Sequence, residues 1–351
     1  MIYRECGVYR SSYAEDMVLF PLPADRIGVT ALLIAAVLVP PLLGEYWLRG
    51  IMIPLLIFAL SALGLNFLTG YAGQLSLGQS AFMAVGAYTG VILYGRYAVA
   101  LPLALLAAGL AAAAIGALAG TPSLRIKGFY LAVATLATQF LITWTIQHVH
   151  WISGGVYATV NTPPVRLAGL LLDTALRQYY LVLAVVVFLT VFGRNLARGR
   201  IGRAWMAIRD RDIAAEIIGV RPLRTKLLAF GISSFYCGVA GAGLVFLYLG
   251  TAETLAFDIS ISFLVLFMVI IGGLGSILGS FLGAAFIVLM PIVLSNAPHL
   301  VGLVLPVALQ KQIELMVFGG LIILFLIVEP RGLARLWQIS KEKLRLWPFP
   351  H

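Results

Sequence analysis

The sequence predicts an all-α, polytopic membrane protein of about ten spanning helices, an expectation that rests on composition, run length and charge placement. Hydrophobic residues make up 61 % of the 351 and charged residues 11 %, where soluble domains hold roughly 45–50 % apolar and about 25 % charged side chains. The 24 Lys+Arg and 14 Asp+Glu are too few to coat the water-facing surface of a compact soluble fold, and mean hydropathy is +1.01. The apolar residues gather in charge-poor runs approaching the ~20 residues a helix needs to cross the hydrocarbon layer. These runs do not alternate as the strands of a membrane barrel would, which leaves helices as the way to satisfy backbone groups in lipid.

Taken in order, a polar leader, 1–26, precedes the first apolar run, Ile27–Leu43. That run ends in Pro40-Pro41 rather than at a small-residue cleavage site, so it is expected to remain as a helix. Ile51–Leu68, Val99–Ala119, Gly128–Gln147, Tyr179–Phe192, Leu227–Gly250 and Ile313–Val328 follow as spans nearly free of charge. Ala81–Tyr94 is short and contains Gly, and either spans or re-enters. Ser262–Ser295 is too long for one span and is cut by Ile271-Gly272-Gly273-Leu274-Gly275-Ser276, which predicts two helices and a turn. The expected division is a leader 1–26, a membrane domain 27–328 with a polar loop 193–226, and a tail 329–351.

Charge placement orients the bundle. Gly193–Lys226 carries Arg194, Arg198, Arg200, Arg203, Arg209, Arg211, Arg221, Arg224 and Lys226 against Asp210, Asp212 and Glu216, which places it in the cytoplasm. Arg125 and Lys127, and in the tail Arg331, Arg335, Lys341, Lys343 and Arg345, belong on the same side. The loop Thr251–Asp258 holds Glu253 and Asp258 and no base, so it lies outside, and counting spans from it puts both termini in the cytoplasm. Trp47 and Trp151 fall at outer helix ends and Trp337 just past an inner one, as interfacial indoles do. The net charge of +10 therefore reads as membrane orientation and not as nucleic-acid binding.

Several chemistries are not expected. Cys6 and Cys237 lie far apart and give neither a disulfide framework nor a metal-ligand spacing. His148 and His150 form a pair with no third ligand nearby, so no metal or cofactor is expected. The sequence holds no G-x-x-x-x-G-K-[ST], so any ATP must be hydrolysed by another subunit, and no acid–base set suggests an enzyme. Ion-coupled carriers keep an ionisable group inside the membrane, whereas Lys311, Glu314 and Glu329 stand at span ends. The polar groups within spans are neutral: Asn66, Thr69, Gln74, Ser76, Gln79, Ser80, Thr135, Thr138, Gln139, Ser233 and Ser234. Each serves either as an interhelical hydrogen bond or as the lining of a low-affinity passage. Gly70-Tyr71-Ala72-Gly73-Gln74-Leu75-Ser76-Leu77-Gly78 is echoed by Gly272-Gly273-Leu274-Gly275-Ser276-Ile277-Leu278-Gly279. Such paired Gly-interrupted segments mark close helix packing or a transport pathway. Asn66, Thr69, Gln74, Ser76, Gln79, Gly272, Gly273 and Gly275 are accordingly the candidate pathway residues. A stand-alone channel or secondary carrier for a small neutral solute such as urea is the alternative to a subunit driven from outside.

The stretch Gly202–Val220 predicts a cytoplasmic helix between spans, with Asp210 or Asp212 as a cap, Gly219 as a left-handed stop and Pro222 preventing continuation. Its mixed surface could dock in a groove of a cytoplasmic partner or lie along anionic lipid.

Leu63-Gly64-Leu65-Asn66-Phe67-Leu68-Thr69-Gly70-Tyr71-Ala72-Gly73-Gln74-Leu75-Ser76-Leu77-Gly78-Gln79-Ser80-Ala81-Phe82 closely resembles the signature of ABC importer permeases of the branched-chain amino acid type, in particular their LivM-like subunit. Gly202–Phe230 resembles that family's cytoplasmic coupling segment, Val269–Gly283 its second Gly-rich block, and Ile126–Thr138 is also similar, all in the family's order. The resemblance implies a permease bundle in a bacterial inner membrane, and a coupling helix containing Ala214, Ala215 and Gly219. Ile213 departs from the importer consensus, where Glu is usual, and Arg203, Arg209, Asp212 and Glu216 are the further candidates for contact with the ATPase. It further implies a second homologous permease, two cytoplasmic ATPase subunits and an extracytoplasmic binding protein as partners.

Overall fold

The computed structural model describes residues 11–12, 23–42, 44–124, 126, 128–153, 159–167, 169–300, 307–328 and 332–346. Cys6, Arg125, Lys127, Glu329 and Arg331, used above, lie outside them.

The chain is a bundle of helices: α1 (Pro23–Leu38), α2 (Glu45–Tyr71), α3 (Gln79–Tyr97), α4 (Leu101–Ala119), α5 (Phe129–His148) and α6 (Ala175–Arg198). There follow α7 (Arg200–Ile217), α8 (Pro222–Leu249), α9 (Ile259–Gly272), α10 (Ile277–Leu300), α11 (Val307–Val328) and α12 (Leu333–Leu346). Seven helices among the described residues are long and apolar enough to cross a membrane: α2, α4, α5, α6, α8, α9 with its lead-in turn from Thr254, and α10. The expected split of Ser262–Ser295 appears as α9, a turn at 273–276 and α10. α6 runs past its apolar stretch at both ends, until Gly199 donates its N–H back to the Asn195 and Leu196 carbonyls.

α2 and α8 form the centre, with 78 % of the most apolar stretch of each buried inside the protein. α3 packs against α8 and α4. Its polar and glycine content fits this place: its 19 residues give a rod about 28 Å long, and its flanks touch protein more than lipid. Close approach is set by small side chains, because lipid tails supply no hydrophobic drive between helices. A Cβ on Gly86 of α3 would overlap the backbone of Gly238 in α8, and one on Gly238 would run into Ala112 of α4.

The arginines of the α6–α7 region and the ends of α2 and α9 share one end of the bundle. At the opposite end β1 (Thr159–Asn161) pairs antiparallel with β4 (Thr251–Glu253), after β1 a short hairpin joins β2 (Arg166–Leu167) to β3 (Leu170–Leu171), and the Tyr94 hydroxyl accepts the Arg166 N–H at 2.7 Å.

Gly86→Val is expected to lower the thermal unfolding midpoint of the detergent-solubilised chain, at a cost of at least the ~1–3 kcal/mol typical of overpacking. An unchanged midpoint would contradict the close approach of α3 and α8.

Candidate functional site

α2 ends in a wide π-turn, Phe67–Tyr71, and the chain does not become helical again until Gln79. Residues 72–78 between them run back into the bundle without regular structure, with Ala72, Gln74, Ser76 and Gly78 buried. Irregular backbone at membrane depth persists only where protein replaces the lost hydrogen-bond partners. Here it does so from several helices. The Gln74 N–H donates to the Leu68 carbonyl at 3.0 Å and the Leu77 N–H to Thr135 Oγ1 of α5 at 2.9 Å. At the start of α3 the Ser80 N–H donates to Ser262 Oγ of α9 at 2.9 Å and the Ala81 N–H to Gln139 Oε1 of α5 at 2.6 Å. Gly78, at the cap position, has no side chain to offer. The buried end of α3 is thus capped by other helices, and Gln139 uses its Nε2 to reach the Phe257 carbonyl at 3.2 Å.

Asn66, fully buried just before the π-turn, joins the two Gly-rich blocks. Its Nδ2 donates to the Ser276 carbonyl at 2.8 Å and to Ser280 Oγ at 2.9 Å, and its Oδ1 accepts the Gly275 N–H at 2.8 Å. The approach requires glycine on both sides: a Cβ on Gly70 would collide with Asn66 Oδ1 and the Gly275 nitrogen, and Gly275 itself has φ +77°.

α7 reaches the same junction. Arg209 Nη1 donates to the Gly70 carbonyl at 2.9 Å, and Gly73, at φ +67°, leaves room for the Arg209 stem. The Arg209–Asp210 ion pair at 3.1 Å is exposed and contributes little. Trp205 holds α7 in place: it is fully buried, donates Nε1–H to the Thr225 carbonyl at 3.1 Å and packs on Phe67 with ring centroids 6.1 Å apart. Phe67 in turn meets Tyr236 edge-on at 5.3 Å.

Beyond Trp205 the helix kinks at Arg211, whose backbone is extended at φ −155°, ψ 103°. The second half restarts with Asp212 Oδ1 accepting the Ile213 N–H at 3.0 Å. It stops where the Gly219 N–H meets the Glu216 carbonyl at 3.0 Å and the Val220 N–H the Ala215 carbonyl at 2.9 Å, a Schellman motif with Gly219 at φ +92°. Ile213, Ile217 and Ile218 on this half are 71 %, 81 % and 76 % exposed.

The structure therefore brings Asn66, Gly70, Gly275 and Arg209 into one junction, with Gly273 packed instead against Gly332 and Gly279. Thr69 and Gln74 bond to one another in the loop, Thr69 Oγ1 donating to the Gln74 carbonyl at 3.2 Å, and Gly272 packs on Gly279. Gln79 stands deeper, accepting the Cys237 thiol at 2.9 Å, and Ser76 Oγ accepts the Gly78 N–H. Gln74 Oε1, Gln79 Nε2, Ser233 Oγ and Ser234 Oγ are buried without a hydrogen-bond partner. Of the remaining candidates, Ala215 is buried under the second half of α7, whereas Arg203, Ala214, Glu216 and Gly219 face outward. Sequence reasoning passed over Trp205, Ser262 and Ser280. A bulky indole among arginines is a signal that the loop packs into the bundle, but the two serines carry no such mark.

A family model described as branched-chain amino acid transport system, permease component, matches residues 48–326. The chain is 31 % identical over 314 residues to the high-affinity branched-chain amino acid transport system permease protein LivM of Salmonella typhimurium, covering 83 % of this chain and 70 % of that protein. The LivM of Escherichia coli matches to the same extent, again 31 % over 314 residues and the same shares of the two chains. A probable LivM of Methanocaldococcus jannaschii is 26 % identical over 235 residues, 66 % of this chain and 67 % of that one. These relatives are named as transport permeases, and the alternative of a stand-alone channel or carrier gains no support from them. No solved structure matches the chain at a significant level.

Asn66→Leu would strand the Gly275 N–H and take one of their partners from the Ser276 carbonyl and the Ser280 hydroxyl, which still bond to each other. At roughly 1–3 kcal/mol for each buried group left without a partner, it should lower the unfolding midpoint well below that of the unchanged chain. Equal midpoints would remove the clamp from the account of the site.

Proposed function

The chain belongs to the permease component family of branched-chain amino acid transport systems, and on that premise we propose that it is the membrane-spanning subunit of an ATP-driven importer of branched-chain or related small amino acids. Adding α1, α3 and α11 to the seven helices of spanning length gives the ten spans of the proposed permease domain, 27–328, between a leader, 1–26, and a tail, 329–351. The arginine-bearing end faces the cytoplasm and the end with Glu253 and Asp258 faces outside, with both termini inside. A second permease, two ATPase subunits and an outer binding protein complete the assembly.

The observation that carries this reading is the bond from Arg209 to the Gly70 carbonyl, against Gly275. It ties α7, whose outer half presents Ile213, Ile217 and Ile218, to both helix breaks at once. In this reading the isoleucines, with Ala214, Glu216 and the Gly219 stop, dock in a groove of an ATPase subunit. ATP-driven closure displaces the docked helix, and Arg209 and Trp205 pass the displacement to the 72–78 segment and the α9–α10 turn, with Arg203 and Asp212 flanking the lever. Switching access from 1:99 to 99:1 takes ~5.5 kcal/mol of preference between the two packings. In this reading the buried Trp205 contacts carry the displacement, and the exposed Arg209–Asp210 pair contributes little. Among the described residues no carboxylate is buried, which supports drive from outside the bundle over an ion gradient. Gln79, with an unpartnered amide nitrogen in the interior, is the pathway residue that this geometry favours.

Proteoliposomes holding the chain with its partner permease and both ATPases should take up leucine, isoleucine or valine, supplied with the binding protein, only with ATP. Uptake by the chain alone would overturn the reading. In the assembly, Arg209→Ala should reduce uptake at least tenfold while leaving the ATPases attached, and Ile217→Asp should detach them; loss of neither would exclude α7 as the lever.

A further inference from the structure

We propose that α12 lies along the membrane surface and binds anionic lipid there, anchoring the α9–α10 turn. Its sequence carries Arg335, Lys341, Lys343 and Arg345 against a single acid, Glu342. Leu333, Leu336, Trp337 and Ser340 stand at positions i, i+3, i+4 and i+7, so they share one face. α12 separates apolar from polar side chains more sharply than either α6 or α7 does, although its overall composition is polar. Past the first turn the apolar face is uncovered, with Leu336 and Trp337 40 % and 57 % exposed. Arg335 and Lys343 are also exposed, and neither side chain has a partner among the described residues.

Two observations favour a lipid surface over a protein groove as the cover for this face. The first is the height of the helix. α9 and α10 are both of spanning length, so the turn between them stands at a membrane surface. α12 is fastened to that turn at its start: a Cβ on Gly332 would meet the Gly273 nitrogen at 2.6 Å and the Ile271 carbonyl oxygen at 2.7 Å. Ala334 is buried, and Leu333 packs on the apolar cluster that α2, α9 and α10 share. The exposed leucine and tryptophan are therefore held where acyl chains give way to headgroups, the depth that indole rings favour. The second observation is composition. A short apolar stripe on a basic, otherwise polar helix suits an anionic interface, because the leucine and tryptophan enter the acyl boundary while lysine and arginine reach the phosphates. Because Asn66 joins the same turn to α2, lipid bound along α12 steadies that junction from the membrane surface. This holds for either leaflet and for any solute, provided α9 and α10 cross the membrane.

The full chain carrying Cys6→Ser, in which the remaining native thiol Cys237 is buried, allows a fluorescent label to be placed on α12 alone. Ser340→Cys puts the label in the apolar stripe and Gln338→Cys puts it on the other side of the helix, both at exposed positions. Each labelled chain is reconstituted in vesicles of phosphatidylcholine and phosphatidylglycerol in equal parts, with nitroxide-bearing acyl chains as quencher. The label at 340 should be quenched roughly twofold or more relative to the label at 338. Exchanging phosphatidylglycerol for phosphatidylcholine, or adding Arg335→Gln and Lys343→Gln at the surface, should shrink that difference. Equal quenching at the two positions, or a difference that neither change reduces, would overturn the proposal. So would a label at 340 shielded from the nitroxide and from aqueous iodide alike, which marks a contact with protein.

Discussion

The amide of Asn66 is the interaction on which the arrangement of this bundle depends. Its three hydrogen bonds cross from the end of α2 to the α9–α10 turn and the first turn of α10, segments more than 200 residues away in sequence. A buried side-chain amide of this kind is costly unless its nitrogen and oxygen are paired, and here both N–H groups donate and the oxygen accepts. Glycine at 70 and 275 allows the two backbones to come within reach, since any side chain at either place would hold them apart or strain the turn.

The break between α2 and α3 makes a second demand, because N–H groups exposed inside the bundle have no water to turn to. Ser262, Gln139 and Thr135 answer it from α9 and α5. The start of α3 is therefore positioned by its neighbours and not by its own cap, so α5 and α9 cannot shift against α3 without uncovering these groups. The contacts among α3, α4 and α8 are of a different kind, being set by small residues that let helices touch along their backbones.

Stability is distributed unevenly along α7. Its first half is pinned by Trp205 against Phe67 and the Thr225 carbonyl, and by Arg209 at the glycine junction. Past the kink at Arg211 the helix keeps only Ala215 buried, and its isoleucines stand in the open. A segment with a fixed root and an uncovered apolar tip can transmit displacement from a partner, whereas a segment loose throughout would absorb it.

Much of the fold was legible along the chain. Charge-poor runs marked the seven helices of spanning length among the described residues, the Gly-rich interruption of Ser262–Ser295 marked the turn between α9 and α10, and Gly219 before Pro222 marked the stop of α7 that the Schellman bonds bear out. Span length, helix stops and charge bias are properties of neighbouring residues and of the solvent around them, so sequence alone determines them. The similarity of the two Gly-rich blocks was visible too, but not that they touch. Only the tertiary structure decided that Asn66 joins them, that Ser262 and Gln139 cap α3, and that Trp205 roots α7. A polar group in lipid takes whichever partner the packing of helices places within about 3 Å, and those partners lie between 20 and 214 residues away, where no local pattern records them.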